Sequence, residues 1–192
     1  MNQDALTDLL TRLQAAQGDE EREWLVMQFS LDNMAPAVRE AVWAAAIPHW
    51  FDAGFLAALL DERDERAQEL YQALQEFSFV EVFPGRGYNL HERSRALLLG
   101  RLWQDDQARY RELSQRAAAH CAGQDQTNTG WRVETISHNI QAGKPDAEST
   151  FISQETEWYN HFEYDKQEAL ARTVLEGSAG RALDGESRSR NL

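Results

Sequence analysis

A chain of 192 residues with 42% hydrophobic residues and six tryptophans can bury a core without staples, and its one cysteine, Cys121, permits no internal disulfide and no cysteine-rich zinc site. The 32 acidic residues outnumber the 19 lysines and arginines, and the net charge of −13 argues against non-specific nucleic-acid binding and against a polybasic membrane anchor. The N-terminus lacks a basic, apolar leader and no apolar run approaches about 18 residues, so a reducing cytoplasm is the expected home.

Leu6, Leu9, Leu10 and Leu13 recur at helical spacing and predict a first helix, ended by Gly18. The apolar run 24–31 reads as a short helix. Pro36 suits the first turn of the next one, whose buried stripe is Val38, Ala41, Val42 and Ala45, closed by Pro48. Asp52 is an expected N-cap, with Phe51 and Leu56 as a hydrophobic staple around it. Phe55, Leu56, Leu59 and Leu60 supply the buried face of that helix, and Ala67, Leu70, Tyr71 and Leu74 that of a third. The period then changes. Residues 77–83 are aromatic and β-branched and predict a strand, Pro84-Gly85-Arg86-Gly87 a turn, and 88–90 the returning strand.

Helical pattern resumes at His91 with Leu98, Leu99, Leu102 and Trp103, and again with Tyr110, Leu113, Ala117 and Cys121. The polar stretch 123–130 reads as a linker and 131–142 as a short helix stopped by Gly143 and Pro145. Residues 149–175 read as one further helix carrying Phe151, Trp158, Tyr159, Phe162 and Leu170. The expectation is a mainly α fold: a helical leader (1–28), a winged-helix unit of three helices plus a two-stranded wing (29–104), a helical, tetratricopeptide-like segment (105–176), and a polar, disordered tail (177–192).

Charge is unevenly spread. Residues 1–76 hold 15 acids and five bases, residues 86–116 seven arginines and four acids, and residues 117–192 twelve acids and seven bases. The basic island has two readings: complementarity between neighbouring helices, or an anion-facing surface. Most winged helices place their third helix in the DNA major groove. Here residues 61–76 hold six acids and two arginines, with Glu62, Arg63, Glu65 and Arg66 at the lead-in. Such a surface repels phosphate and suits a protein contact.

The stretches FSLDNMAPAVREAVWAAAIPHWFDAGFLAALLD (29–61) and LYQALQEFSFVEVFPGRGYNLHERSRALLLGRLW (70–103) resemble the winged-helix segment of signal-transduction NTPases with numerous domains. These are relatives of the apoptotic and plant-immunity ATPases and of the NACHT proteins. YRELSQRAAAHC (110–121) and WRVETISHNI (131–140) look like the helices that link this segment to tetratricopeptide-like repeats in bacterial members. The resemblance spans residues 29–142. It implies a regulatory module with a protein partner, a P-loop ATPase acting in trans being one such partner.

In those ATPases a Met-His-Asp triplet at a helix start senses the diphosphate of ADP, and Leu90-His91-Glu92 matches it in place. The resemblance therefore implies a phosphate sensor at His91, with Arg86, Arg93 and Arg95 nearby in sequence. An imidazole at a helix N-terminus can donate to a phosphate oxygen beside exposed backbone N–H groups. The chain lacks G-x-x-x-x-G-K-[ST]; its Gly-Lys pair, Gly143-Lys144, is followed by proline where Ser or Thr would ligate magnesium. Neither ATP hydrolysis nor a cofactor is expected.

Glu157, His161 and Asp165 share a helix face if that helix is continuous, a spacing that suits a metal but more simply a solvated face, and no metal is expected. His120 and Cys121 are adjacent and diverge on a helix. His138, near Ile136 and Ile140, reads as a packed helix residue. Trp158, Tyr159 and Phe162 are candidates for core or for protein contact. The functional expectations are a non-enzymatic regulatory or interaction module, then a winged-helix transcriptional regulator, and thirdly ADP sensing through His91.

Overall fold

The computed structural model describes residues 3–189, with side chains described over 4–177. The fold is mainly α, with ten helices and one two-stranded antiparallel sheet among the described residues. Helices α1 (Gln3–Ala15) and α2 (Asp19–Asp32) meet at Gly18, which starts α2 as its N-cap rather than ending α1. Leu9, Ala16 and Leu25 close a small cluster between them.

Helix α3 (Pro36–Ala45) carries proline in its first turn, where no N–H partner is lost. Helix α4 (Ala53–Leu60) starts at Asp52, whose side chain accepts from the Phe55 N–H at 2.8 Å. Phe51 and Leu56, on either side of that cap, are both fully buried. Helix α5 (Asp64–Leu74) completes the three.

The hairpin follows as β1 (Val80–Phe83) and β2 (Gly87–Leu90), with Val80 opposite Leu90 and Phe83 opposite Gly87. β1 begins later than the aromatic run suggests, because residues 77–79 turn: the Val80 N–H bonds back to the Phe77 carbonyl at 3.0 Å. The hairpin is also stitched to the loop between α3 and α4. Phe51 and Tyr88 exchange both backbone bonds, at 2.7 and 3.0 Å.

Helices α6 (Glu92–Asp105) and α7 (Gln107–Ala122) pack on this unit. Tyr110, Leu113, Ala117 and Cys121 of α7 join the main core with Phe51, Phe55, Leu59, Leu74, Leu98 and Leu99, so the core continues past the expected boundary at 104. Each fully buried leucine or phenylalanine there contributes roughly 1.5–3 kcal/mol. The expected linker 123–130 is a short turn ending at Asn128, which caps α8 (Thr129–Ala142) by accepting from Gly130 N–H at 2.9 Å. Helices α7 and α8 then make the most extensive pairing in the chain.

The single helix expected over 149–175 is two helices, α9 (Ala147–Asn160) and α10 (Tyr164–Ser189). The break lies at Phe162, whose φ is 60°. Val133 and Ile136 of α8, Trp158 of α9 and Leu170 of α10 form a second core. α10 lies along α8 and α6, and the Tyr110 hydroxyl donates to the Gly177 carbonyl at 3.0 Å. The helix thus continues beyond Gly177, where a tail is expected; residues 190–192 of that tail lie outside the described residues.

Candidate functional site

The hairpin end holds the three residues singled out as a phosphate sensor, and each has its own partner. His91 is the N-cap of α6, and its Nδ1 lies 3.4 Å from the Glu81 carboxylate on β1. Arg93 pairs with Glu23 of α2. Arg86, in the hairpin turn, lies over the Trp50 ring at 5.2 Å and against Gly130 at the start of α8. The open cleft of about 410 Å³ beside α2 is lined by Glu23, Phe79 and Arg93 but by neither His91 nor Arg86. The geometry does not bring the three onto one ligand, and it sets carboxylates beside His91 and Arg93.

The same holds for the whole basic island. Arg95 donates to the carbonyls of Pro48 and Ile47, at 3.1 and 2.9 Å. Arg101 lies over Trp24 and Arg111 over Trp103, at 4.7 and 5.6 Å. Arg109 pairs with Glu40. Arg116 bonds the Leu59 carbonyl at 2.9 Å, near the end of α4, and also Glu112. All seven arginines of residues 86–116 therefore serve internal contacts, by cation–π stacking, ion pairing or carbonyl capping. These contacts fit the first reading of the island, complementarity between neighbouring elements.

Of the candidate protein-contact residues, Glu62, Arg63, Glu65 and Arg66 are exposed at the start of α5, with Arg66 paired to Glu69 at 2.6 Å. Trp158 requires correction: it is 2% exposed and packs with Val133, Ile136 and Leu170, because α10 folds back over α9 and covers it. Tyr159, one residue on, is 60% exposed. Glu157, His161 and Asp165 do not share a helix face, since the chain turns at Phe162 between the last two. Among the described residues no group of three or more His, Cys, Asp or Glu is placed to hold a metal ion.

One polar cluster escaped the sequence reading. Glu134 of α8 is buried and accepts from His49 Nδ1 at 3.1 Å. His138, one turn on and fully buried, brings its Nε2 to 3.3 Å from the same carboxylate oxygen. His49 Nε2 lies 3.5 Å from Glu176 of α10. Burial pushes the Glu134 carboxyl up, but the two imidazoles outweigh burial and hold it well below the usual carboxylate range. Arg95 is 7% exposed; burial lowers its guanidinium, and the charges of Glu134 and Glu176 work against that. The cluster ties loop 47–50 to α6, α8 and α10. Its nearest thiol, Cys121, is fully buried and pushed far up by burial, so it is a packing group and not a nucleophile. The available sequence signals were Arg95 on the apolar stripe of Leu98, Leu99 and Leu102, and the i, i+4 pair of Glu134 and His138.

Comparison with protein-family models, with curated proteins and with solved structures finds nothing that matches this chain.

Proposed function

We propose that this chain is a non-enzymatic, winged-helix-type regulatory module that binds a protein partner through the exposed acidic start of α5. Three helices followed by a two-stranded hairpin, which the Phe51–Tyr88 bridge ties to the loop between α3 and α4, follow the order of a winged helix. The observation that carries the reading is the charge arrangement. The helix that would enter DNA and its lead-in present Glu62, Asp64 and Glu65, while the seven arginines of residues 86–116 have partners elsewhere in the fold. A surface of this kind attracts a cationic protein face and repels a phosphate backbone. The internal partners of His91 and Arg93 weigh against ADP sensing in the same way. The likeness to signalling NTPases makes a P-loop ATPase the first partner to try.

Affinity capture with the full chain tests this. The expected result is a protein partner recovered by the wild type and lost in Glu62→Lys/Glu65→Lys, with no gel shift on duplex DNA at low salt. A DNA complex that survives about 150 mM salt would overturn the reading in favour of a transcriptional regulator. ADP binding by calorimetry that vanishes in His91→Ala would overturn it in favour of a sensor.

A further inference from the structure

We propose that the corner between α9 and α10 is a docking site for an arginine-bearing segment of a partner protein. This rests on the reading of the chain as a protein-interaction module and adds a second contact with its own chemistry. Tyr159, Phe162 and Tyr164 are 60, 77 and 52% exposed. Tyr164 stands near-perpendicular to both other rings, with centroids 6.2 Å from Tyr159 and 6.3 Å from Phe162. The three form one cluster at the surface and take no part in the second core.

Phe162 is the telling residue. Helices α4, α8 and α9 all end in the same backbone motif, in which a later N–H reaches back to the carbonyl five residues before it: Glu62 to Ala57, Lys144 to Asn139 and Glu163 to Trp158, at 3.1, 3.1 and 2.9 Å. The motif needs one left-handed residue. It is Asp61 in α4, Gly143 in α8 and Phe162 in α9, at φ of 56°, 72° and 60°. Glycine takes that conformation freely and aspartate tolerates it, whereas a phenylalanine there is strained by its Cβ. The strained residue then holds a large apolar ring in solvent. The edge contact with Tyr164 is the only ring contact that offsets these two costs among the described residues, and they meet at one position, as they do where a side chain is kept for a partner.

The surroundings choose that partner. Glu155, Glu157, Glu163, Asp165 and Glu168 crowd the corner in sequence, and Lys166 is bonded to Glu163. The side chains of Glu155 and Asp165 have no ion pair among the described residues. A second copy brings the same net charge of −13, and its island arginines are already engaged. An arginine from another protein can stack its planar guanidinium on a ring while its N–H groups reach a neighbouring carboxylate.

Fluorescence anisotropy on the full chain at about 150 mM salt, with a labelled peptide of alternating arginine and glycine and a lysine–glycine peptide of equal charge, decides the matter. The expected result is tighter binding of the arginine peptide, weakened about tenfold by Phe162→Gly to the level of the lysine peptide. The same substitution should leave the Tm unchanged or raise it, because glycine relieves the left-handed residue. Equal binding of the two peptides, or wild-type binding by Phe162→Gly, would overturn the proposal. So would a fall in Tm, which would make Phe162 a structural residue, or a concentration-dependent dimer lost in that variant, which would make the occupant a second copy. Peptide failure with α5-dependent capture intact removes the corner alone; failure of both removes the module reading with it.

Discussion

Replacing Gly87 by alanine should destabilise the fold by about 3 kcal/mol or more, a fall in Tm of about 6–12 °C for a chain of this size. Gly87 opens β2 at φ 110°, and a Cβ built there lies 2.5 Å from the Phe51 carbonyl oxygen and 3.3 Å from the Tyr71 hydroxyl. That carbonyl is the acceptor for the Tyr88 N–H at 3.0 Å, one of the two bonds that stitch the hairpin to the loop between α3 and α4. A methyl group cannot share the space. Either the loop withdraws and two buried backbone bonds are lost, or the strand shifts and its register with β1 is disturbed. Gly85 provides the control. It too has a positive φ, 79°, but a Cβ there meets nothing within 4 Å. Gly85→Ala should cost only the backbone strain, about 1 kcal/mol. Thermal unfolding of the two variants side by side checks the argument; equal losses would contradict the proposed role of the bridge.

Glu134→Gln should cost about 3–5 kcal/mol near neutral pH, the range for breaking a buried charge arrangement by removing one member. Glutamine keeps the volume but removes the charge that faces His49, His138 and the buried Arg95, leaving that guanidinium with Glu176 alone among the cluster's carboxylates. The pH dependence has a definite sign. The Glu134 carboxyl is held below its ordinary value in the folded chain. Its stabilisation is therefore fully present above the unfolded value of about 4.3, and drains away as pH falls through the lowered folded value. The difference in unfolding free energy between wild type and Glu134→Gln should hold above the unfolded carboxylate value and shrink as pH falls below it. A difference that stays constant from neutral pH to about pH 3 would contradict the assignment.

Much of the local chemistry was readable because each signal was short-range. Asp52 as a cap, Pro36 in a first turn, Pro84-Gly85 as a hairpin turn and Gly143 as a helix stop need only a few neighbours, and all four hold. The misses share a different cause. Nothing in residues 158–164 marks a helix end, since the left-handed position carries Phe162 in place of glycine. One continuous helix was the natural reading, and it carried with it the shared face of Glu157, His161 and Asp165. Once the chain turns there, Trp158 is covered by α10 and Tyr159 is left outside. The buried cluster was hidden because its members come from four distant segments: His49, then Arg95, then Glu134 and His138, then Glu176. The spacing of Arg95 marked its burial, yet no spacing shows that Pro48 and Ile47 supply its acceptors. The charge of −13 reads differently once sorted by segment: the arginines of the basic island make internal contacts, while acids of α1, α2, α5 and the α9–α10 corner face outward.

Hydrogen–deuterium exchange on the full chain with its captured partner tests the central claim most directly. The account expects slowed exchange over 61–69 at the start of α5, with a second protected patch over 155–165, and no change over 86–95 whether or not ADP is added. Protection confined to 86–95 and dependent on ADP, with 61–69 exchanging as in the free chain, would contradict it and return the function to the hairpin end.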